Sequence, residues 1–188
     1  MSPRIFLPAV AFLLACAFIS SAMDDTVLKG RGVRTKPLLG AMYDLELHVP
    51  ESLLGADADT LIDADQPMAF VLTIQSRLIN RKRFVEATSE GFDQAARSGH
   101  ATSHQQAFLD QFNHAEFRRD DQVIMRYQDG ILTSIYRKPN PTAKDSPAFN
   151  DTPLGALPGL DLKQALFAIW LGEFPVQDSL KADLLKSP

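Results

Sequence analysis

Residues 121–137, DQVIMRYQDGILTSIYR, contain the clearest β-hairpin pattern in this chain of 188 residues. Strand-forming side chains recur at every second position on both sides of the centre: Val123, Met125 and Tyr127 before it, and Ile131, Thr133 and Ile135 after it. At the centre stands Asp129-Gly130, a pair preferred in two-residue hairpin turns. The stretch therefore predicts two paired antiparallel strands.

Two upstream segments also predict strands. In Met68 to Gln75, the side chains of Phe70, Leu72 and Ile74 fall on one face. The segment from Leu38 to Val49 alternates in its second half and is ended by Pro50. Alternation divides this half into two faces: Tyr43, Leu45, Leu47 and Val49 on one, and Asp44, Glu46 and His48 on the other.

Between and after the strands, the spacing of apolar residues predicts helices. The segments are a short helix in Asp57 to Pro67, a helix from Asn80 to Arg97, one opened by Ser103, one capped by Asp161 and ended by Gly172, and one capped by Asp178. Lys138 to Pro158 contains five prolines and predicts a long connection with one short strand near Leu154. Hairpin-linked strands with grouped helices indicate an α+β protein, an antiparallel sheet covered on one face by helices.

The N-terminal residues predict export. Arg4 precedes an apolar run from Ile5 to Ile19, and the small residues Ser20, Ser21 and Ala22 follow, so cleavage after Ala22 is expected. Residues 1–22 are thus predicted to be a signal peptide, residues 23–188 a single domain, and the destination the periplasm. In the alternative, Cys16 after Leu13-Leu14-Ala15 is a lipidated first residue that anchors the protein to a membrane.

Composition excludes several classes of function. Cys16 is the single cysteine, so its removal leaves no disulfide, thiol nucleophile or cysteine metal ligand. The net charge is only −4 with acids and bases interspersed, which indicates neither a nucleic acid nor an anionic membrane surface as partner. His100, His104 and His114 are interpreted as solvated side chains rather than metal ligands. We expect no metal and no cofactor.

Two segments carry a resemblance to a known family. Gly32-Val-Arg-Thr-Lys36, with Met42-Tyr43 and Leu47-His-Val-Pro-Glu51 after it, is similar to the opening of bacterial chalcone isomerase-like proteins. Ala165-Leu-Phe-Ala-Ile-Trp-Leu-Gly-Glu-Phe-Pro-Val176 resembles the closing signature of the same family. The resemblance spans Gly32 to Lys186 and implies an open-faced sandwich, a large antiparallel sheet under one layer of helices. Trp170 is interpreted as a core anchor of this fold.

The resemblance also implies a ligand site. Arg34 matches the arginine that holds the anionic end of a ligand, a flavonoid oxygen in plant isomerases and a carboxylate in fatty-acid-binding relatives. In the alternative, Arg34 forms a surface ion pair or packs its stem over the sheet edge, and Arg31 is a nearby alternative to it as the anchor. Thr35 and Tyr43 are further candidates, Tyr43 as a phenol in the site or as a core tyrosine with one partner. His48 stands where relatives carry a tyrosine that contacts the ligand.

Asp44 and Glu46 share a face with His48, which leaves two hypotheses open. If that face lines the cleft, the carboxylates repel an anionic ligand or form an acid/base pair with His48; if it faces water, they are ordinary surface residues. The tyrosine, asparagine and threonines of a true chalcone isomerase cannot be assigned here. We therefore expect a non-catalytic binder of a small amphipathic or carboxylate-bearing, fatty-acid-like ligand in the cleft between sheet and helices. The alternatives are an isomerase and a structural or interaction protein of the cell envelope.

Overall fold

A computed structural model describes residues 25–141 and 149–186, so the predicted signal peptide and Cys16 lie outside the described residues. Six strands form one antiparallel sheet in sequence order: β1 (Val27–Lys36), β2 (Gly40–Val49), β3 (Met68–Ile74), β4 (Gln122–Gln128), β5 (Ile131–Pro139) and β6 (Phe149–Pro158). The described helices are α1 (Ala58–Asp63), α2 (Arg81–Arg97), α3 (Gln105–Asp110), α4 (Leu160–Leu171) and α5 (Asp178–Leu185), with a 3-10 turn at Glu51–Leu53.

The helices pack against one face of the sheet. Phe70 in β3 contacts two aromatic side chains of α4, with ring centroids 4.6 Å from Phe167 and 4.9 Å from Trp170. On the other face, Val71 and its cross-strand neighbours form a small separate apolar cluster: Val71, Ile124 and Ile135. The predicted α+β class, with an antiparallel sheet covered on one face, is confirmed.

β1 is a strand that the sequence pattern did not predict. Its residues are rich in glycine and lysine, which are uncommon in strands, and the predicted Leu38–Val49 strand begins at Gly40 because residues 37–39 form the turn after β1. Gly30 and Gly32 occur where α5 crosses β1. A Cβ added to Gly30 would lie 2.3 Å from the backbone oxygen of Leu184. Glycine is therefore needed for this close contact of helix and strand.

Gly30→Ala should lower the free energy of unfolding by about 1–3 kcal/mol, because α5 must move away from β1 to admit the methyl group. Gly55→Ala is the matched control, since a Cβ there would meet no atom within 4 Å. We expect that control to change stability by less than about 0.5 kcal/mol. Urea unfolding of the two variants measures both values, and equal values would contradict the packing described here.

The short strand predicted near Leu154 is present and is longer than expected, because β6 extends over the ten residues Phe149–Pro158. Pro153 and Pro158 are tolerated in it because β6 is the last strand of the sheet, where one side of the backbone needs no partner strand. The register shifts between Ser134 and Ile135, opposite Gly155 and Pro153 respectively. This irregularity explains why no simple alternation was visible in the sequence.

Asn80 caps α2 and Gly172 ends α4 as predicted, but three predicted N-terminal caps were wrong in detail. α3 begins at Gln105, and its N-cap residue is His104 rather than Ser103, with no side-chain cap. The Thr102 hydroxyl oxygen accepts a hydrogen bond from the His104 N–H at 3.1 Å. Asp161 lies in the first turn of α4, where it accepts a bond from the Thr102 hydroxyl at 2.6 Å. Gln177, not Asp178, occupies the cap position before α5. Within the described ranges, no helix is both long and apolar enough to cross a membrane.

Candidate functional site

Arg34 and Tyr43 form a cross-strand pair at the β1 edge of the sheet. The two residues are direct partners in the β1–β2 register, so their side chains share a face. Leu45, two residues after Tyr43, belongs to the core under the helices. Gly32, two residues before Arg34, packs against Leu180 of α5. The pair therefore lies on the helix-facing side, and the structure brings together two of the four predicted ligand residues.

Tyr43 has a hydrogen bond on one side only. The Trp170 ring nitrogen donates to the Tyr43 hydroxyl oxygen at 3.0 Å, and among the described residues no acceptor receives the Tyr43 O–H. Burial raises the pKa of Tyr43, while the bond from Trp170 and the charge of Arg34 act in the opposite direction. Because the phenol stays protonated at neutral pH, it can donate one further hydrogen bond.

The guanidinium of Arg34 carries a charge that no described carboxylate neutralises directly. Its Nη1 donates to the Thr35 carbonyl at 2.7 Å and to Gln177 Oε1 at 2.9 Å. None of the ion pairs among residues 25–141 and 149–186 includes Arg34. The surface ion pair considered from the sequence is thus not formed in this part of the chain, and a cation is left for an external anion.

The other two predicted site residues do not add side chains to this pair. Thr35 is exposed and takes part through its backbone N–H, which donates to Gln177 Oε1 at 3.0 Å. His48 pairs with Ala69 of β3 and lies on the sheet face opposite Arg34 and Tyr43. His48 and Arg34 therefore do not share a cleft.

The acidic residues of β2 occupy the same outer face as His48. Asp44 accepts a bond from the Gln75 side chain at 2.6 Å, and Glu46 Oε2 lies 3.3 Å from His48 Nε2. A carboxylate–histidine pair therefore exists, but on the sheet face opposite Arg34 and Tyr43, so neither carboxylate lies beside the guanidinium. Among the described residues, no three His, Cys, Asp or Glu side chains are placed to hold a metal ion.

Apolar groups near Arg34 are of two kinds. Directly inward from Tyr43 the layer is filled, because Phe70, Phe167 and Trp170 are at most 5% exposed and contact one another. Outward, large apolar side chains are exposed in both segments that flank Arg34 and its partner Gln177: Leu38 and Leu39 in the β1–β2 turn, and Phe174 in the loop between α4 and α5.

Two residues of the site were missed or understood only in part from the sequence. Gln177, which contacts Arg34, was not predicted at all. Trp170 was predicted as a core anchor, which its 5% exposure confirms, but its hydrogen bond to Tyr43 was not foreseen. Gln177 follows the closing Pro-Val pair directly, and this position next to a recognised segment is the one signal that points to it.

Comparisons with known proteins agree with this architecture. A family model described as chalcone isomerase-like matches residues 18–186. Among solved structures, the crystal structure of a fatty-acid binding protein from Arabidopsis thaliana is similar, with a TM-score of 0.61 and 19% sequence identity. The alignment covers 86% of this chain and 87% of that one, and at this identity the likeness shows the fold alone. No curated protein matches the chain.

Proposed function

Because the chain belongs to the chalcone isomerase-like family, we propose that it uses this fold to bind a small amphipathic carboxylate, fatty-acid-like in character, without catalysing its conversion. The observation that carries the proposal is the cross-strand pair of Arg34 and Tyr43. The pair offers a guanidinium with no described ion-pair partner and a phenol whose proton has no described acceptor. The solved relative from Arabidopsis thaliana, itself a fatty-acid binding protein, supports the same ligand class.

A carboxylate suits these donors better than a neutral polar group does. A guanidinium binds a carboxylate through short charge-assisted hydrogen bonds, which are roughly twice as strong as neutral ones. The Tyr43 O–H, held by the bond from Trp170, can donate to the second carboxylate oxygen. The exposed side chains of Leu39 and Phe174 then receive the apolar part of the ligand.

Catalysis is disfavoured by the chemistry of the same site. Isomerisation of the chalcone type needs groups that position and stabilise a phenolate, and general acid–base chemistry needs a group that titrates near neutral pH. Burial raises the pKa of Tyr43 away from that range. The carboxylate–histidine pair of Glu46 and His48 lies on the opposite face of the sheet, where it cannot reach a ligand held by Arg34.

We further propose that the binder works outside the cytoplasm. The basis is the sequence alone: Arg4, the apolar run after it and the small residues ending at Ala22 form a cleavable signal for export. The free periplasmic form is preferred over a lipid-anchored one at Cys16, because the small-residue site at Ala22 is the better cleavage site. The intact mass of the exported protein distinguishes a start at Met23 from a start at a lipidated Cys16.

Calorimetric titration of the chain from Met23 onward tests the ligand class. Dodecanoate should bind with one-to-one stoichiometry, and dodecanol, which has the same chain without the charge, should bind about tenfold more weakly or not at all. Naringenin chalcone should cyclise no faster with the protein than without it. Equal affinity for acid and alcohol, or no binding of either, overturns the proposed function, and a cyclisation rate that depends on Arg34 would support the isomerase alternative.

A further inference from the structure

The Gln177 side chain is hydrogen-bonded to the edge of β1 on both sides of Arg34. Its Oε1 accepts from the Thr35 backbone N–H at 3.0 Å and from Arg34 Nη1 at 2.9 Å. Its Nε2 donates to the Val33 carbonyl at 3.3 Å. β1 is the first strand of the sheet, so this carboxamide covers backbone groups on an edge that has no neighbouring strand among the described residues.

The position of Gln177 Oε1 is one that suits a carboxylate oxygen. It receives a charged guanidinium N–H and a backbone N–H at once, and an anionic oxygen forms stronger bonds to such donors than an amide oxygen does. The ligand of the proposed function would therefore compete with Gln177 for Arg34. We propose that Gln177 is an internal competitor at the site, whose carboxamide oxygen is displaced from Arg34 when a carboxylate ligand binds.

The local contacts allow Gln177 to leave without disrupting α5. Its Nε2 also donates to the Ser179 hydroxyl at 2.6 Å, so the displaced side chain keeps a partner in its own helix. α5 itself remains attached through buried Leu180 and Leu184 and through Lys181, whose Nζ donates to the Gly172 carbonyl at 2.8 Å. Displacement therefore requires rotation of one side chain. This inference rests on the proposed function, and it adds that competition between Gln177 and the ligand for Arg34 lowers the affinity for the ligand.

Two substitutions at Gln177 should change the affinity for dodecanoate in opposite directions. Gln177→Met keeps the length of the side chain but removes the competing oxygen, and should tighten binding about fivefold, the value of one net hydrogen bond. Gln177→Glu places a carboxylate permanently beside Arg34 and should weaken binding at least about tenfold. Gln164→Met, at a half-buried position in α4 where the side chain donates to Asp63, is the control and should leave the affinity unchanged. Calorimetric titration of each variant measures the change.

The outcomes separate this inference from the proposed function. If Gln177→Met weakens binding of dodecanoate, Gln177 is itself a ligand contact; the inference is then overturned and the proposed function stands. If the wild-type chain binds no carboxylate, the proposed function fails. The contact between Arg34 and Gln177 can still be tested by a double-mutant cycle, in which thermal unfolding is measured for wild type, Gln177→Glu, Arg34→Ala and the double variant. Gln177→Glu should raise Tm more, or lower it less, in the chain that has Arg34 than in the Arg34→Ala variant. Equal effects in both backgrounds overturn the inference whatever the ligand result.

Discussion

Arg34→Ala is expected to weaken the binding of dodecanoate roughly 10- to 100-fold, because a hydrogen bond to a charged group contributes about 1.5–3 kcal/mol and is lost with the guanidinium. Arg31→Ala is the matched control. Arg31 lies three residues earlier in β1 and pairs with Glu46 on the outer face, so its removal should leave the affinity unchanged. Arg34→Lys should give an intermediate affinity, since lysine keeps the charge but not the planar pair of donors.

The same variants should remain folded, which keeps the binding result interpretable. Arg34 is only half-buried, and Gln177 Oε1 keeps the Thr35 N–H as a donor after Arg34 is removed. Circular dichroism melts would verify this. If Arg34→Ala and Arg31→Ala lower the affinity for dodecanoate equally, the site is not at Arg34. A loss of affinity for dodecanol as large as that for dodecanoate would show that Arg34 acts through packing rather than charge.

The parts of the fold that were predictable from the sequence are those with one buried and one solvated face. The hairpin around Asp129-Gly130 is confirmed, with φ of 52° and 75° at the two turn residues. The faces assigned to β2 are also as expected, with Leu45 and Leu47 fully buried and Glu46 between them partly exposed. In both cases local alternation and turn chemistry determine the structure, so a short window of sequence contains the information.

β1 was not predicted, and β6 was predicted only as a short strand near Leu154, because both strands depend on contacts with residues distant in the sequence. In β1, glycines stand where α5 approaches, and Lys29 is buried with its Nζ 2.5 Å from the Leu54 carbonyl, so the usual period of two is absent. In β6, prolines and a register shift opposite Ser134 and Ile135 interrupt the alternation of buried and exposed side chains that would indicate a strand. β1 and β6 are the two edge strands of the sheet, where an irregular alternation of buried and exposed side chains is best tolerated.

The candidate site was predictable only through the family resemblance, which the match over residues 18–186 confirms. That resemblance selected Arg34, but its pairing with Tyr43 depends on the register of β1, a strand that the pattern did not reveal. The contacts that define the site join residues 127 and 143 positions apart, Tyr43 with Trp170 and Arg34 with Gln177. No local window contains such pairs. The ligand roles of Arg34, Tyr43, Thr35 and His48 and the periplasmic location stay predictions.

Lys163 is a fully buried lysine that holds α4 against the end of α1. Its Nζ donates to the carbonyls of Leu61, Ile62 and Ala64 at 2.6, 2.8 and 2.8 Å. The three donors of an ammonium group thus meet three carbonyls at the C-terminal end of a helix, where carbonyls lack partners within the helix. The ammonium also lies 4.8 Å from the centre of the Phe167 ring. Lys163 therefore satisfies a helix end that is otherwise buried.

Lys163→Met should lower the free energy of unfolding by about 3 kcal/mol at neutral pH, because the carbonyls lose their donors and a single buried unpaired group costs about 1–3 kcal/mol. Because methionine retains most of the apolar stem, the loss in the free energy of unfolding measures the lost hydrogen bonds rather than the creation of a cavity. Lys82→Met, at an exposed position in α2 where the ammonium is 3.8 Å from Glu86, is the control and should change stability by less than about 0.5 kcal/mol. Urea unfolding followed by circular dichroism measures both.

The cost of Lys163→Met should also depend on pH, with a sign that follows from the pKa. Burial lowers the pKa of Lys163 to about 7, although the nearby carboxylates of Asp63 and Asp65 raise it. Between pH 7 and about 9.5 the unfolded chain therefore binds more protons at this lysine than the folded chain, so the wild-type stability rises with pH across this window. Methionine does not titrate, so the difference between wild type and variant should be smallest at or below pH 7 and grow up to pH 9.5. A difference that stays constant from pH 6 to 9.5 would mean that Lys163 remains protonated in the folded chain, with the three carbonyl bonds outweighing the effect of burial on the ammonium.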